Sequence, residues 1–439
     1  MTVPTPATAP SALERAVIRK VTWRFLPFLG LGYIVLYLDR TNIGVAALSM
    51  NEALGISASV FGFAAGVYYW TYTLCEIPSN KILTRIGARL WIPRIMLTWG
   101  AITIGTAFVQ GELSLIVMRM LLGIAEAGFS PGVLFFLTLW FPSRVRGRVF
   151  SIIISFIAGS AVLLPAVTAT LRLDGLAGLE GWRWTFIVTG VPAILLALVL
   201  YRVLIDSPHE ASFLTEVERH WLVRTLDEER KSVEGGQAHT FRKGLTDPRV
   251  WVFVIAWIGF TYAFNGYSFF LPQILAEVGF SVNQLGWVGA LPAFVAIPCL
   301  VFWCLHSDRS EDRRWHYAVP ALVGAVGFFA LSGSLGTPAA AVLTLLVAAI
   351  GLYCAQAMFF LNPITMFVGA SAAAALAVIN GLGNMGGYFG PQVTGMLRDA
   401  TGSYGAAIAA YGVALVVSAA LVLAVTRTPR RETAMAPKT

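Results

Sequence analysis

Apolar runs of spanning length recur along nearly the whole of this chain, and they limit its fold more than any other feature. A helix needs about 20 residues to cross the hydrocarbon core of a bilayer. Inside lipid the backbone must satisfy its own hydrogen bonds, so a chain built this way folds as a bundle of helices. Of its 439 residues 57% are hydrophobic and 12% charged, about half the charge of a soluble domain. A soluble enzyme is excluded. A membrane enzyme finds no support either, because HExxH and paired-cysteine patterns are missing. No ring of charge or pore loop suggests a channel.

The runs predict an all-α membrane protein of twelve spans. They lie near 24–48, 59–83, 90–109, 113–140, 147–171, 184–205, 249–276, 283–305, 317–335, 339–361, 370–397 and 403–426. One long polar segment, 206–248, separates the sixth from the seventh. The expected organisation is a cytosolic tail 1–23, a six-helix bundle 24–205, a cytosolic linker 206–248 with an amphipathic helix, a second six-helix bundle 249–426 and a tail 427–439. The first 20 residues end in Arg15, Arg19 and Lys20 and lack the apolar core and cleavage site of a signal peptide. The first helix is therefore expected to remain. Cys75, Cys299, Cys304 and Cys354 fall in or beside apolar runs with no CxxC pair, so they read as small buried hydrophobes. Neither a metal nor another cofactor is expected.

Basic residues alternate with the loops. They crowd the N-terminus, the second loop (Lys81, Arg85, Arg89, Arg94), the fourth (Arg144, Arg146, Arg148), the linker, the eighth (Arg309, Arg313, Arg314) and the C-terminus. The odd-numbered loops hold only Arg172, Arg183 and Arg398, while the short tenth loop has no Lys or Arg. The positive-inside rule then places both termini in the cytoplasm. The net charge of +8 reports orientation, not nucleic-acid binding. The fifth span ends PAVTATLR (Pro165 to Arg172) and the eleventh PQVTGMLR (Pro391 to Arg398), matching at five of eight positions. Both spans cross in the same direction, as in a parallel repeat about an axis along the membrane normal.

Charge inside a bilayer is expensive, at least ~3 kcal/mol per residue at its centre, and usually functional. Asp39 and Arg40 lie within the first span, Arg119 and Glu126 within the fourth. Arg119, Gly123 and Glu126 are spaced i, i+4, i+7 on one helical face, and Gly123 leaves room for an approaching group. The two arginines cancel the two acids, so protonating one acid leaves a positive charge suited to an organic anion. The alternative is a charge network that only locks helices together. All five histidines fall in loops or at their edges, so an intramembrane proton relay has to use carboxylates. Tyr33 and Tyr37 precede Arg40 by two turns and one. Tyr68, Tyr72 and Glu76 form another face, and Glu76 precedes Pro78 near the cytosolic end, where a gate or a salt bridge is expected. The second half offers Asn265, Gln356, Asn380 and Asn384, although an amide in a membrane helix often bonds only a neighbouring helix.

The text carrying these residues resembles the anion:cation symporter family of the major facilitator superfamily. The likeness runs through YLDRTNI, EIPSNKILTRIGARLWIPRIMLTWG, RMLLGIAEAGFSPGVLFFLTLWFPSRVRGR, GWRWTFIVTGVPA, SDRSEDRRWHYAV and INGLGNMGGYFGPQVTG. It is nearest to bacterial tartrate-, phthalate- and hydroxyphenylacetate-type carboxylate permeases. The resemblance implies a transporter of the bacterial cytoplasmic membrane that imports an organic carboxylate with protons by alternating access, and a monomer is expected. The alternative is an antiporter expelling an organic anion or drug. It also implies that Arg40 contacts the substrate, that Asp39, Glu126 and Arg119 serve proton coupling, and that Asn265 and Asn384 are ligands. Tyr33, Tyr37, Tyr72, Gln356 and Asn380 complete the candidate binding set. Glu76, Arg85, Arg89, Asp308 and Arg309 are candidate gating residues. The chain departs from the superfamily in having Asn80 and Thr84 where the second-loop pattern has Gly and Asp, which puts the usual Asp-based latch in doubt. The second half keeps its acid at Asp308. Vesicular relatives place an arginine where Asn265 aligns, which disfavours their type of substrate.

Overall fold

A computed structural model describes residues 12–233, 246–310, 312–367 and 370–426. The C-terminal tail and part of the linker, 234–245, lie outside the described residues. The described chain is helical, in the order α1 (Ala12–Leu54), α2 (Ala58–Ile86), α3 (Ala88–Thr106), α4 (Glu112–Glu126), α5 (Phe129–Trp140), α6 (Ser143–Val162), α7 (Leu164–Ala169) and α8 (Gly181–Val203). There follow α9 (Glu216–Val233), α10 (Pro248–Val278), α11 (Val282–Ser310), α12 (Arg313–Ser332), α13 (Pro338–Phe359), α14 (Leu361–Met366), α15 (Ala370–Gly383), α16 (Gly386–Thr401) and α17 (Gly405–Val425).

These helices account for the twelve expected crossings. Among the described residues nine stretches are long and apolar enough to cross a membrane by length and composition. The other three crossings are less apolar for visible reasons. Tyrosines and threonines dilute α2, Arg89 and Arg94 enter α3, and a glycine-rich turn divides α15 from α16. The fourth span, α4–α5, is broken by non-helical backbone and a turn separates α15 from α16, whereas α6–α7 and α13–α14 run on through single residues, Leu163 and Phe360, that keep helical dihedrals. The first helix, at 43 residues, overruns its expected span at both ends. Large apolar side chains such as Leu74, Ile77, Trp287 and Phe302 are exposed, as lipid-facing residues should be. Cys354 is buried, but Cys75, Cys299 and Cys304 are only partly covered, so the expectation of buried thiols holds for one of the four.

Contacts divide the chain into two units, one of Met1–Ala46 and Trp70–Gly236, the other of Ala47–Tyr69 and Gln237–Thr439. In the first, α3 and α8 pack backbone to backbone: a Cβ on Gly100 would meet the Gly190 carbonyl at 2.9 Å, and the converse distance is also 2.9 Å. Without a hydrophobic drive in lipid, such small-residue contacts hold membrane helices together. The linker helix α9 belongs to the same unit. Thr215 and Glu218 cap its start reciprocally, at 2.9 and 3.4 Å. Both Glu218 oxygens also accept from Lys20 Nζ at 2.8 Å, and these bonds hold the Glu218 carboxyl below the usual range. Leu222 and Leu226 are buried, and Phe213 stacks on Trp140 at 5.8 Å. In the second unit α12 and α13 meet through Gly324 and Gly351. Asp399 in the last turn of α16 caps the start of α2, accepting from the Ala58 and Ser59 amides at 3.2 and 2.8 Å.

The sequence repeat has a structural counterpart. Thr168 and Thr394, at the same place in the two octapeptides, are both buried and both hydroxyls turn back onto the helix, to the Pro165 and Gly390 carbonyls.

Candidate functional site

The charged residues of the first unit come together because the fourth span is not one helix. At the end of α4, Ala127 is extended (φ −55°, ψ 126°) and Gly128 turns into the left-handed region at φ 94° before α5 begins. Glu126 is therefore the last residue of α4, beside backbone that has left the helix. A freed carbonyl in a membrane interior costs several kcal/mol unless bonded. Ser79 on α2 donates to the Ala127 carbonyl at 2.6 Å and accepts from Trp91 Nε1 of α3 at 3.0 Å. A Cβ on Gly128 would collide with the Ser79 hydroxyl, so both conformation and space require glycine there.

Arg119, Gly123 and Glu126 run along α4 as their spacing predicts, and Asp39, Arg119 and Glu126 are buried to within 1%. Arg40 is less enclosed, with 19% of its side chain exposed, and its Nε lies 3.5 Å from Glu126 Oε2. That is the outer limit of a hydrogen bond, an ion pair loose enough to exchange partners. The guanidinium also stands over the rings of Tyr37 at 5.6 Å and Tyr72 at 5.5 Å, a cation–π arrangement. Glu76, one turn beyond Tyr72 on α2, is close enough to feel the Arg40 charge. The sequence tally of two acids against two arginines thus becomes three against two. One proton makes this cluster neutral and a second makes it positive. Tyr33 packs edge-on against Phe129 at 5.6 Å.

Three residues around Asp39 were not singled out from the sequence. Asp39 Oδ1 accepts from Thr103 Oγ1 at 2.6 Å and from Asn42 Nδ2 at 3.2 Å, and Asn42 Nδ2 also donates to Thr189 Oγ1 at 2.9 Å. Thr103 is on α3 and Thr189 on α8, the pair brought together by Gly100 and Gly190. Asp39 Oδ2 receives no donor, and the group within hydrogen-bonding reach of that carboxyl is Glu126, with the Arg119 charge nearby. Two carboxylates cannot bond each other until one carries a proton.

In the second unit Asn265 accepts from Tyr69 Oη at 2.5 Å and donates to the Thr261 carbonyl at 2.8 Å. Tyr69 is a partner that sequence spacing did not reveal. Asn384 lies in the turn between α15 and α16, where its backbone N–H donates to the Asn380 backbone carbonyl at 3.0 Å. Gln356 and Asn384 are half-buried and Asn380 is exposed.

Of the candidate gating residues, Arg85 and Arg89 are exposed at the α2–α3 junction. The acid missing from the second loop is supplied from elsewhere: Asp206, after α8, accepts from the Arg89 amide at 2.8 Å and sits against Gly87 (φ 89°). Asp308 pairs with Arg313 at 3.1 Å, and Arg309 is exposed beside it.

Residues 29–391 match the family model described as Major Facilitator Superfamily. An Agrobacterium vitis protein named "Putative tartrate transporter" is 41% identical over 423 residues, covering 95% of this chain and 96% of that protein. An Acinetobacter baumannii protein named "Quinolone resistance transporter" is 36% identical over 412 residues, covering 93% and 94%. The fold is similar to that of the inward-open xylose transporter XylE from Escherichia coli, with a TM-score of 0.76 at 16% identity over 94% of this chain and 98% of that one. This chain of membrane-spanning helices, with its buried charges and its relatives, belongs to the major facilitator superfamily of transporters.

Proposed function

We propose that this transporter imports an organic carboxylate together with protons, by alternating access, across the bacterial cytoplasmic membrane. The observation that carries the reading is the loose Arg40–Glu126 pair at 3.5 Å, with two tyrosine rings flanking the guanidinium. While Glu126 is ionised it competes with any incoming anion for Arg40. A proton on Glu126 releases the guanidinium, which then takes the substrate carboxylate through two parallel hydrogen bonds. Proton and anion thus bind together, and loss of either weakens the hold on the other. Tyr33, Tyr37 and Tyr72, and in the second unit Asn265, Gln356, Asn380 and Asn384, are proposed to select the rest of the substrate. The alternating basic loops support both termini in the cytoplasm, and the transporter is proposed to act as a monomer.

The relative named for tartrate supports a hydroxy-dicarboxylate among the substrates. The one named for quinolone resistance favours a second reading, export of an organic acid by proton antiport, on the same arginine and carboxylates. Purified protein in proteoliposomes, offered radiolabelled tartrate, phthalate, hydroxyphenylacetate, a sugar acid and a quinolone, separates the two. Accumulation of a carboxylate when the outside is acidic supports import. Quinolone movement against an opposite gradient, with no carboxylate uptake, would overturn it.

A further inference from the structure

The bonds to Asp39 are distributed unevenly between its two oxygens. A carboxylate oxygen offers two lone pairs. On Oδ1 both are taken, by the Thr103 hydroxyl at 2.6 Å and the Asn42 amide at 3.2 Å. Neither donor can readily turn away. Asn42 is 1% exposed and its amide is also held by Thr189 at 2.9 Å, while Thr103 is 1% exposed on a helix fixed by the Gly100–Gly190 contact. Oδ2 has no donor and the neighbouring carboxyl is Glu126.

We propose that Thr103 and Asn42 are positioning residues for proton coupling: by filling Oδ1 they leave Oδ2 as the oxygen of Asp39 that takes the exchanged proton. The proposal rests on the coupling role proposed above for Asp39. A proton taken up there can be shared with the neighbouring Glu126 carboxyl, the group that pairs with Arg40. The charged groups acting on Asp39 are Glu126 and Arg119 from α4, and Arg40, next to it in sequence, pairs with Glu126. The α3 and α8 helices contribute the uncharged Thr103 and Thr189. Taking away the Thr103 hydroxyl removes a donor that favours the ionised form and opens a second protonation site on Oδ1.

The test is the pH profile of substrate uptake in proteoliposomes, compared for wild type, Thr103→Val, Thr103→Ser and Asp39→Asn. Thr103→Val conserves volume and is expected to move the midpoint to higher pH by about one unit, with maximal binding at acidic pH retained. Thr103→Ser keeps the hydroxyl and should follow wild type. Asp39→Asn should flatten the profile. If valine leaves the midpoint unchanged while Asp39→Asn flattens it, the positioning role is wrong and the coupling role stands. A serine variant shifted as far as the valine variant would make the threonine methyl the important group and overturn the inference. Should Asp39→Asn keep the wild-type profile, the coupling role itself falls. Thr103→Ala carries the same prediction as valine if the valine protein does not fold.

Discussion

Arg40 is the residue on which recognition turns, because it combines a permanent charge, a flat fork of donors and partial exposure in an otherwise apolar bundle. Lysine keeps the charge but not the planar fork of donors. Arg40→Lys should weaken substrate binding by about tenfold or more, and Arg40→Ala should abolish measurable binding in a calorimetric titration. Unchanged affinity in the alanine variant would move the anion site elsewhere. The four central charges were legible in the sequence, since an acid or an arginine in a lipid-spanning run has few bland explanations. Asn42 was within sight, three residues from Asp39 on the same helix. Thr103 and Thr189 were not. A threonine hydroxyl in an apolar helix usually bonds its own preceding turn, as Thr98 and Thr106 do here. Spacing along α3 gives no sign that Thr103 instead reaches Asp39 on α1.

Helix breaks, more than helices, arrange the functional groups. Glu126 ends α4 and Asn384 occupies the turn between α15 and α16, so in each unit a candidate residue sits where the backbone leaves the helix. Hydropathy shows one continuous apolar run through residues 113–140, and nothing in a windowed average reports a two-residue interruption. The clue was GIAEAGFSPG, with glycines on both sides of Glu126 and a proline just after, but glycine is also common in unbroken membrane helices. Gly128→Ala should therefore be strongly destabilising. A left-handed conformation costs a residue with a Cβ about 1–3 kcal/mol, and the clash with Ser79 adds to this. The melting temperature in detergent should fall by several degrees and transport should be lost. Gly147→Ala, in a helix with open space around it, should be neutral or slightly stabilising. Equal melting temperatures for the two variants would contradict the importance given to the break.

At the scale of the molecule, the twelve crossings followed from hydropathy, because lipid imposes a composition on whatever faces it. The division into contact units did not follow: residues 47–69 of the first two helices belong with the second unit. Hydropathy records burial in lipid or protein, not which helix is the neighbour. Orientation is open to a direct check. A cysteine at the exposed Arg224 of α9 should react only with thiol reagents that enter the cytosol, and one at the exposed Glu112 should react from outside; the reverse pattern would invert the topology. The central claim is that proton and anion are coupled through Glu126. Glu126→Gln imitates the protonated side chain permanently and frees Arg40, so the variant should still bind substrate and exchange internal for external substrate. With no proton to release at that position, it should fail to concentrate substrate when a pH gradient is imposed. The measurement is uptake into proteoliposomes carrying the wild type or Glu126→Gln, with and without an inward proton gradient, beside a counterflow assay on the same vesicles. The account predicts normal counterflow and no gradient-driven accumulation for Glu126→Gln; accumulation equal to wild type would contradict it.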